Sequence, residues 1–173
     1  RPTVLFYHMY GEHGPRYHED SPAHAKVWTP ECTDADLGAC TGESIVNAYD
    51  NAVRYTDGVL AGLVRRLKAR TDIDAGFVYV SDHGESLGEG SLYLHGAPYF
   101  MAPPEQIRVP MVMWLSKDWD RTFGFDAANL AREPAGGVTH EHLYSTVLGM
   151  LGVQSTTRRP EWDLTDNRTS AAQ

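Results

Sequence analysis

The apolar and polar stretches of the chain predict three strands and two helices. Val4-Leu5-Phe6-Tyr7-His8-Met9 is a short apolar run stopped by Gly11, Gly14 and Pro15, and it predicts a strand. Gly76 to Ser81 predicts a buried strand, and Val109 to Leu115 another, with Pro110 near its start. Between the first two, Ile45, Tyr49, Ala52, Val53, Val59, Leu60, Leu63, Val64 and Leu67 recur at helical spacing. Thr41 is a suitable N-cap for that helix, Glu43 suits its first turn, and Arg65, Arg66 and Lys68 suit its last turns. Thr139 opens a final helix that runs to about Leu151 and stops at Gly152. Residues 16–40 and 82–107 read as long loops, 116–138 as an irregular Gly-rich stretch, and the polar tail beyond Gln154 as frayed. The order strand, helix, strand, strand, helix predicts an α/β fold with some parallel pairing.

Composition narrows the picture. A chain of 173 residues is long enough for one domain with its own core. Three strands make a small sheet for so much polar loop, and the chain opens at Arg1-Pro2-Thr3 without an initiator Met. Both features predict a piece of a longer protein. The net charge of −8 leaves no basic face for a nucleic acid, so no nucleic-acid partner is expected. It also means that a phosphate substrate needs locally added positive charge, which a metal ion supplies. No apolar run reaches the ~18 residues of a membrane span. Cys32 and Cys40 stand in a polar segment and read as a local disulfide in an oxidising compartment, with free thiols as the alternative.

Chemistry in an open α/β sheet gathers beyond the carboxyl ends of strands. The first strand leads to His13 and the second to Asp82-His83, while the following loop returns through His95. If the two strands are parallel neighbours, three imidazoles and a carboxylate meet, a donor set suited to zinc. The other histidines read differently. His18 and His24 lie in a polar loop, His140 and His142 in a first helical turn where exposure is usual, and His8 fits either packing or function. A rival lies in Gly84-Glu85-Ser86-Leu87-Gly88, which matches the G-x-S-x-G nucleophile pattern with Asp126 and His140 following in hydrolase order. Against it, Ser81-Asp82-His83 separates Ser86 from its strand, where a nucleophile elbow follows directly.

The segment Tyr79 to Trp114, "YVSDHGESLGEGSLYLHGAPYFMAPPEQIRVPMVMW", resembles the catalytic domain of the phosphoethanolamine transferases. This group of the alkaline phosphatase and sulfatase superfamily includes the mobile colistin resistance proteins. "HMYGEHGPRY" is similar to its His-containing turn, "TPECTDADLGACTGESIVNAYDNAVRYTDGVL" to its disulfide loop and helix, and "VTHEHLYSTVLGMLGV" to its last helix. The resemblance implies an alkaline-phosphatase-like sandwich with a mainly parallel central sheet flanked by helices. Residues 1–155 would form the C-terminal half of a periplasmic sulfatase-like catalytic domain, and residues 156–173 a polar tail. The implied activity is zinc-dependent transfer of phosphoethanolamine from phosphatidylethanolamine to lipid A or another lipopolysaccharide sugar. It proceeds through a phospho-threonine, on the periplasmic face of the inner membrane, with a transmembrane region preceding this chain. Asp82 and His83 match the zinc-binding Asp-His pair. His13 and His95 match the histidines that face the transferred phosphate and can hold a further zinc. Cys32 and Cys40 match one of the family's disulfides. Glu85 and Ser86 would support the ligands. The family's nucleophilic threonine and a glutamate ligand precede this chain, and Glu12 departs from the small polar residue expected before His13. A related superfamily phosphodiesterase or sulfatase, and a non-catalytic fragment, are the alternatives.

Overall fold

The computed structural model describes residues 3–119 and 137–166. The chain forms two compact units, one of residues 5–69 and 79–112, the other including residues 70–78 and those from 113 onward.

In the first unit, helix α1 spans Gly42–Lys68, starting where Thr41 Oγ1 accepts a hydrogen bond from Ser44 N at 3.2 Å. Its buried stripe, Ile45, Ala48, Ala52 and Thr56, covers only the first half, while Val59 and Leu63 farther along are exposed. The stripe packs against Tyr17, Cys32 and Leu37, with Cys40, Tyr49, Leu87 and Leu94 at the margin. The long loop before α1 is tied down twice. Cys32 and Cys40 form the expected disulfide. Asn51, fully buried, accepts from Val27 N and Trp28 N at 2.8 and 3.1 Å and donates to Trp28 O and Glu31 Oε1 at 2.9 and 3.0 Å. All four bonding positions of its amide are thereby used.

Strand β1, Gly76–Val80, pairs with the later strand β4, Met111–Leu115. At one end Ser116 N donates to Ala75 O at 2.8 Å, and at the other Ser81 N donates to Pro110 O at 3.3 Å. The partner numbers run in opposite senses, so the pair is antiparallel. Between these strands, Ser86–Leu87 (β2) and Tyr93–Leu94 (β3) form a second antiparallel pair, with Ser86 opposite Leu94 and Leu87 opposite Tyr93. The short helix α2, Pro104–Ile107, follows. The expected mainly parallel central sheet is therefore not found among the described residues. The stretch joining β1 to β4 is a hairpin and a four-residue helix, not the long crossover helix that parallel neighbours use. The strand expected at Val4–Met9 is not formed either. It has no ladder partner among the described residues, and Leu5, Phe6 and Tyr7 are 72%, 82% and 77% exposed.

The second unit packs Trp119 and Met150 against Val78, Met113 and Leu115. Helix α3 spans Glu141–Met150. The tail does not fray as expected within its described part. The Arg158 guanidinium binds Asp163 Oδ2 at 2.5 Å and Asp166 Oδ2 at 2.9 Å, with both carboxylates buried. Ser145 Oγ and Thr146 Oγ1 of α3 accept from Arg159 N and Leu164 N, each at 3.0 Å. A paired, hydrogen-bonded charge can stay buried where a lone one could not.

Candidate metal centre

Within the first unit, the β2–β3 hairpin sets the geometry of the site. Its register continues outward to place Glu85 directly opposite His95, and His95 Nδ1 donates to Glu85 Oε1 at 2.5 Å. The turn is made by Gly88 and Gly90, both in the left-handed region, and Leu94 adopts φ 62 immediately before His95. A non-glycine residue in that region costs of order 1 kcal/mol and is found where surrounding structure enforces it.

His83 enters from the end of β1. Gly84 N donates to Gln106 O at 3.0 Å, and a Cβ at Gly84 would collide with the Glu105 carbonyl. Close docking of this turn on α2 therefore needs glycine. Gln106, itself buried, closes the arrangement, donating from Nε2 to Ser86 Oγ at 2.9 Å and accepting from Ala97 N at 3.3 Å. His13 arrives on the loop before Tyr17, and a Cβ at Gly14 would lie 2.5 Å from Leu94 Cδ2 and 2.6 Å from the Tyr17 hydroxyl.

His13, His83, Glu85 and His95 each offer one ligand atom, and these four atoms lie within 4.8 Å of one another. The His83 and His95 rings stack with centroids 3.8 Å apart, and His13 meets His95 edge-on at 4.8 Å. His13 Nδ1 bonds Gly14 O at 2.9 Å and His83 Nδ1 bonds Gly84 O at 3.0 Å. Carbonyl and carboxylate oxygens only accept, so in all three histidines Nδ1 carries the hydrogen of these bonds. This is the tautomer in which imidazole binds metal through Nε2. A nitrogen-rich set with one carboxylate suits zinc better than magnesium or calcium. These four donors therefore fit a zinc-type ion.

Glu85 is nearly inaccessible, with 4% of its side chain exposed. Its Oε1 faces His95 and lies 3.8 Å from His83 Nδ1, while Oε2 accepts from the Tyr17 hydroxyl at 2.5 Å. Burial, then the bond to Glu85, pushes the Tyr17 phenol up, so it remains a donor throughout the physiological range. Asp82 stands beside this cluster and outside the convergent four. Its carboxylate is 79% exposed, with Oδ1 3.9 Å from His83 Nε2. Ser86 is completely buried, and its Oγ accepts from Gln106. A hydroxyl so enclosed cannot meet a substrate, which removes the serine-nucleophile reading. Of its supposed partners, Asp126 lies outside the described residues and His140 caps α3 in the other unit.

Tyr17, Gln106 and Asn51 were not singled out from sequence, because no local pattern marks them. One signal was available. Of the eight histidines, the three that converge are each followed by glycine, at His13-Gly14, His83-Gly84 and His95-Gly96, and none of the others is.

The sulfatase family model matches residues 1–153. Phosphoethanolamine transferase EptA of Salmonella typhimurium is 41% identical over 155 residues, 88% of this chain and 28% of that protein. Kdo(2)-lipid A phosphoethanolamine 7''-transferase of Escherichia coli is 36% identical over 156 residues, covering 88% and 27%. The chain thus spans less than a third of these relatives' length. Among solved structures, the soluble domain of lipooligosaccharide phosphoethanolamine transferase A from Neisseria meningitidis superposes with TM-score 0.84 at 42% identity. That match covers 90% of this chain and 47% of that one. The C-terminal periplasmic domain of phosphoethanolamine transferase EptC from Campylobacter jejuni gives 0.81 at 37%, covering 93% and 50%. With its family model matched over most of its length and transferases of one kind as its relatives, the chain belongs to the sulfatase family.

Proposed function

We propose that the chain is part of the catalytic domain of a zinc-dependent phosphoethanolamine transferase. The intact protein would move phosphoethanolamine from phosphatidylethanolamine to lipid A or another lipopolysaccharide sugar. The observation that carries this is the convergence of one ligand atom each from His13, His83, Glu85 and His95 within 4.8 Å of one another. The relatives named for this transfer, one of them to Kdo(2)-lipid A, support the substrate class.

In this reading Asp82 and His83 hold one zinc ion. His13 and His95 face the transferred phosphate and can hold a second. A bound zinc supplies positive charge against the phosphate oxygens and lowers the pKa of a hydroxyl nucleophile. The chain's own residues do the rest. His13 and His95 would face the phosphate, and Glu85 holds the His95 ring through Nδ1. Ser86, through Gln106, anchors the hairpin that carries both. The nucleophilic threonine and a further glutamate ligand would come from the part of the domain preceding this chain, as would a mainly parallel sheet. The C. jejuni neighbour is a periplasmic domain, and another neighbour is an integral membrane protein, which supports a site on the periplasmic face of the inner membrane. Among the described residues no helix is long and apolar enough to cross a membrane; in this reading an anchor would belong to the region preceding this chain.

The test is made on the full-length protein. Zinc content and transfer of phosphoethanolamine to lipid A, read by mass spectrometry, should both fall sharply in Asp82→Ala/His83→Ala. Unchanged zinc content in that variant would overturn the ligand assignment. Transfer activity that survives complete removal of zinc would overturn the metal-dependent mechanism.

A further inference from the structure

Tyr17 stands 68 positions before Glu85 in the chain, and its hydroxyl donates to Glu85 Oε2 at 2.5 Å. Only 1% of Tyr17 is exposed. Its ring meets Tyr49 of α1 edge-on, with centroids 5.3 Å apart at 87°. It also belongs to the core that holds Cys32, Leu37, Ile45 and Ala48. The hydroxyl end points away from that core, and Gly14 leaves room for it beneath the His13 turn. We propose that Tyr17 is a positioning residue of the centre, fixing the Glu85 carboxylate so that its other oxygen holds His95 Nδ1 and sets the orientation of the His95 ring.

The reasoning follows from what Glu85 lacks. A carboxylate at the edge of a two-residue strand can rotate about its terminal torsion, which is broad and weakly restrained. Its Oε1 faces both His95 Nδ1 and, at 3.8 Å, His83 Nδ1. The hairpin register sets Glu85 opposite His95, and a fixed donor on Oε2 keeps Oε1 turned to that partner. A short hydrogen bond to an ionised acceptor is among the stronger ones available inside a protein. It ties the orientation of the site to the buried core that holds the Tyr17 ring. Tyr17 touches no substrate in this role. Because its phenol stays protonated, it acts as a constant donor and not as an acid or base.

The proposal deepens the metal reading above, so its test has one readout that needs metal and one that does not. The variants are Tyr17→Phe, which keeps the packed ring, Glu85→Gln, and the double variant, all in the full-length protein. Zinc affinity is measured by competition with a chromophoric chelator. Tyr17→Phe should weaken zinc roughly tenfold, within the range seen when residues supporting metal ligands are changed. Added to Glu85→Gln it should cost nothing further, since the effect passes through Glu85. In metal-free protein, ¹⁵N NMR of the imidazoles should show His95 wholly in its Nδ1–H form. In Tyr17→Phe it should be a mixture, with the thermal midpoint little changed. The proposal is overturned if His95 keeps a single tautomer in Tyr17→Phe, or if the two zinc losses multiply. A wild-type protein that binds no zinc would remove the metal reading, and the tautomer measurement would still decide the role of Tyr17.

Discussion

Thr56 Oγ1 donates to Glu12 Oε2 at 2.9 Å, turning the carboxylate next to His13 toward helix α1. A carboxylate beside a phosphate site repels the substrate if it faces it, and this bond resolves that difficulty by direction. Glu12 still acts at a distance. The Asp20 carboxyl is pushed up to about 6, first by burial and next by the charge of Glu12. In Glu12→Gln the acceptor for Thr56 remains and the charge is gone. Asp20 should then titrate below its present value, as read by ¹³C NMR of its carboxyl. No change would leave burial and the charge of Glu19 as the causes.

Asp20 also gives the fold a pH dependence of unusual sign for an acid. Its folded value of about 6 lies above the ordinary 3.8, and its Oδ2 is buried without a partner among the described residues. Between roughly pH 4 and 6 the folded state keeps a proton that the unfolded chain has released, so this group's contribution to stability falls as pH rises through that window and is flat above it. Asp20→Asn should abolish that slope and be more stable than wild type at pH 7. Urea unfolding across pH 4 to 7 checks both.

Gly14→Ala should damage the site more than the fold around α1. The added methyl meets Leu94 at 2.5 Å and Tyr17 at 2.6 Å, and Leu94 precedes a cluster ligand. Overpacking of this kind costs about 1–3 kcal/mol. Zinc affinity should fall at least tenfold while far-ultraviolet circular dichroism stays the same. Retained affinity would show that the His13 turn can shift freely.

Reducing the Cys32–Cys40 bond opens a loop of eight residues' separation. The chain-entropy estimate for such a loop is about 2.5 kcal/mol. The measured loss should be close to this figure, because the cost falls on the unfolded chain while the bond from Cys32 N to Ser44 O at 2.9 Å keeps the native segment in place. Unfolding with and without reductant gives the difference.

Asn51→Ala removes four hydrogen bonds made by a fully buried side chain and takes their partner from the backbone at Val27 and Trp28. A destabilisation of about 3 kcal/mol is expected, more than the disulfide contributes. The comparison of the two variants by urea unfolding ranks the two ties directly.

Much of this was legible in the chain because it rests on local rules. Thr41 marked the start of α1, and Gly76 to Val80 formed the strand its apolar run announced. Three of the four convergent residues were chosen as ligands or catalytic groups, and Glu85 as their support. The reason given for their meeting did not hold. Parallel neighbouring strands were to bring His13 to His83, whereas a hairpin of two-residue strands and a glycine contact do so. Two-residue strands are too short to leave an alternating pattern. Val4–Met9 misled because apolar composition describes a strand's readiness to pair and says nothing of whether a partner is present. Tyr17 and Gln106 escaped notice because their partners, Glu85 and Ser86, lie 68 and 20 positions away.

The three His-Gly pairs have a consequence for how this centre tolerates change. At Gly14 and Gly84 the glycine carbonyl holds the neighbouring imidazole while its missing side chain admits another part of the fold. Gly96, at φ 97, turns the chain just after His95. Each dipeptide is thus one structural unit, in which the residue without chemistry is as constrained as the one with it. Variation at these glycines should be as costly as variation at the histidines, and a survey of substitutions that scores only polar side chains would overlook half of what keeps the centre intact.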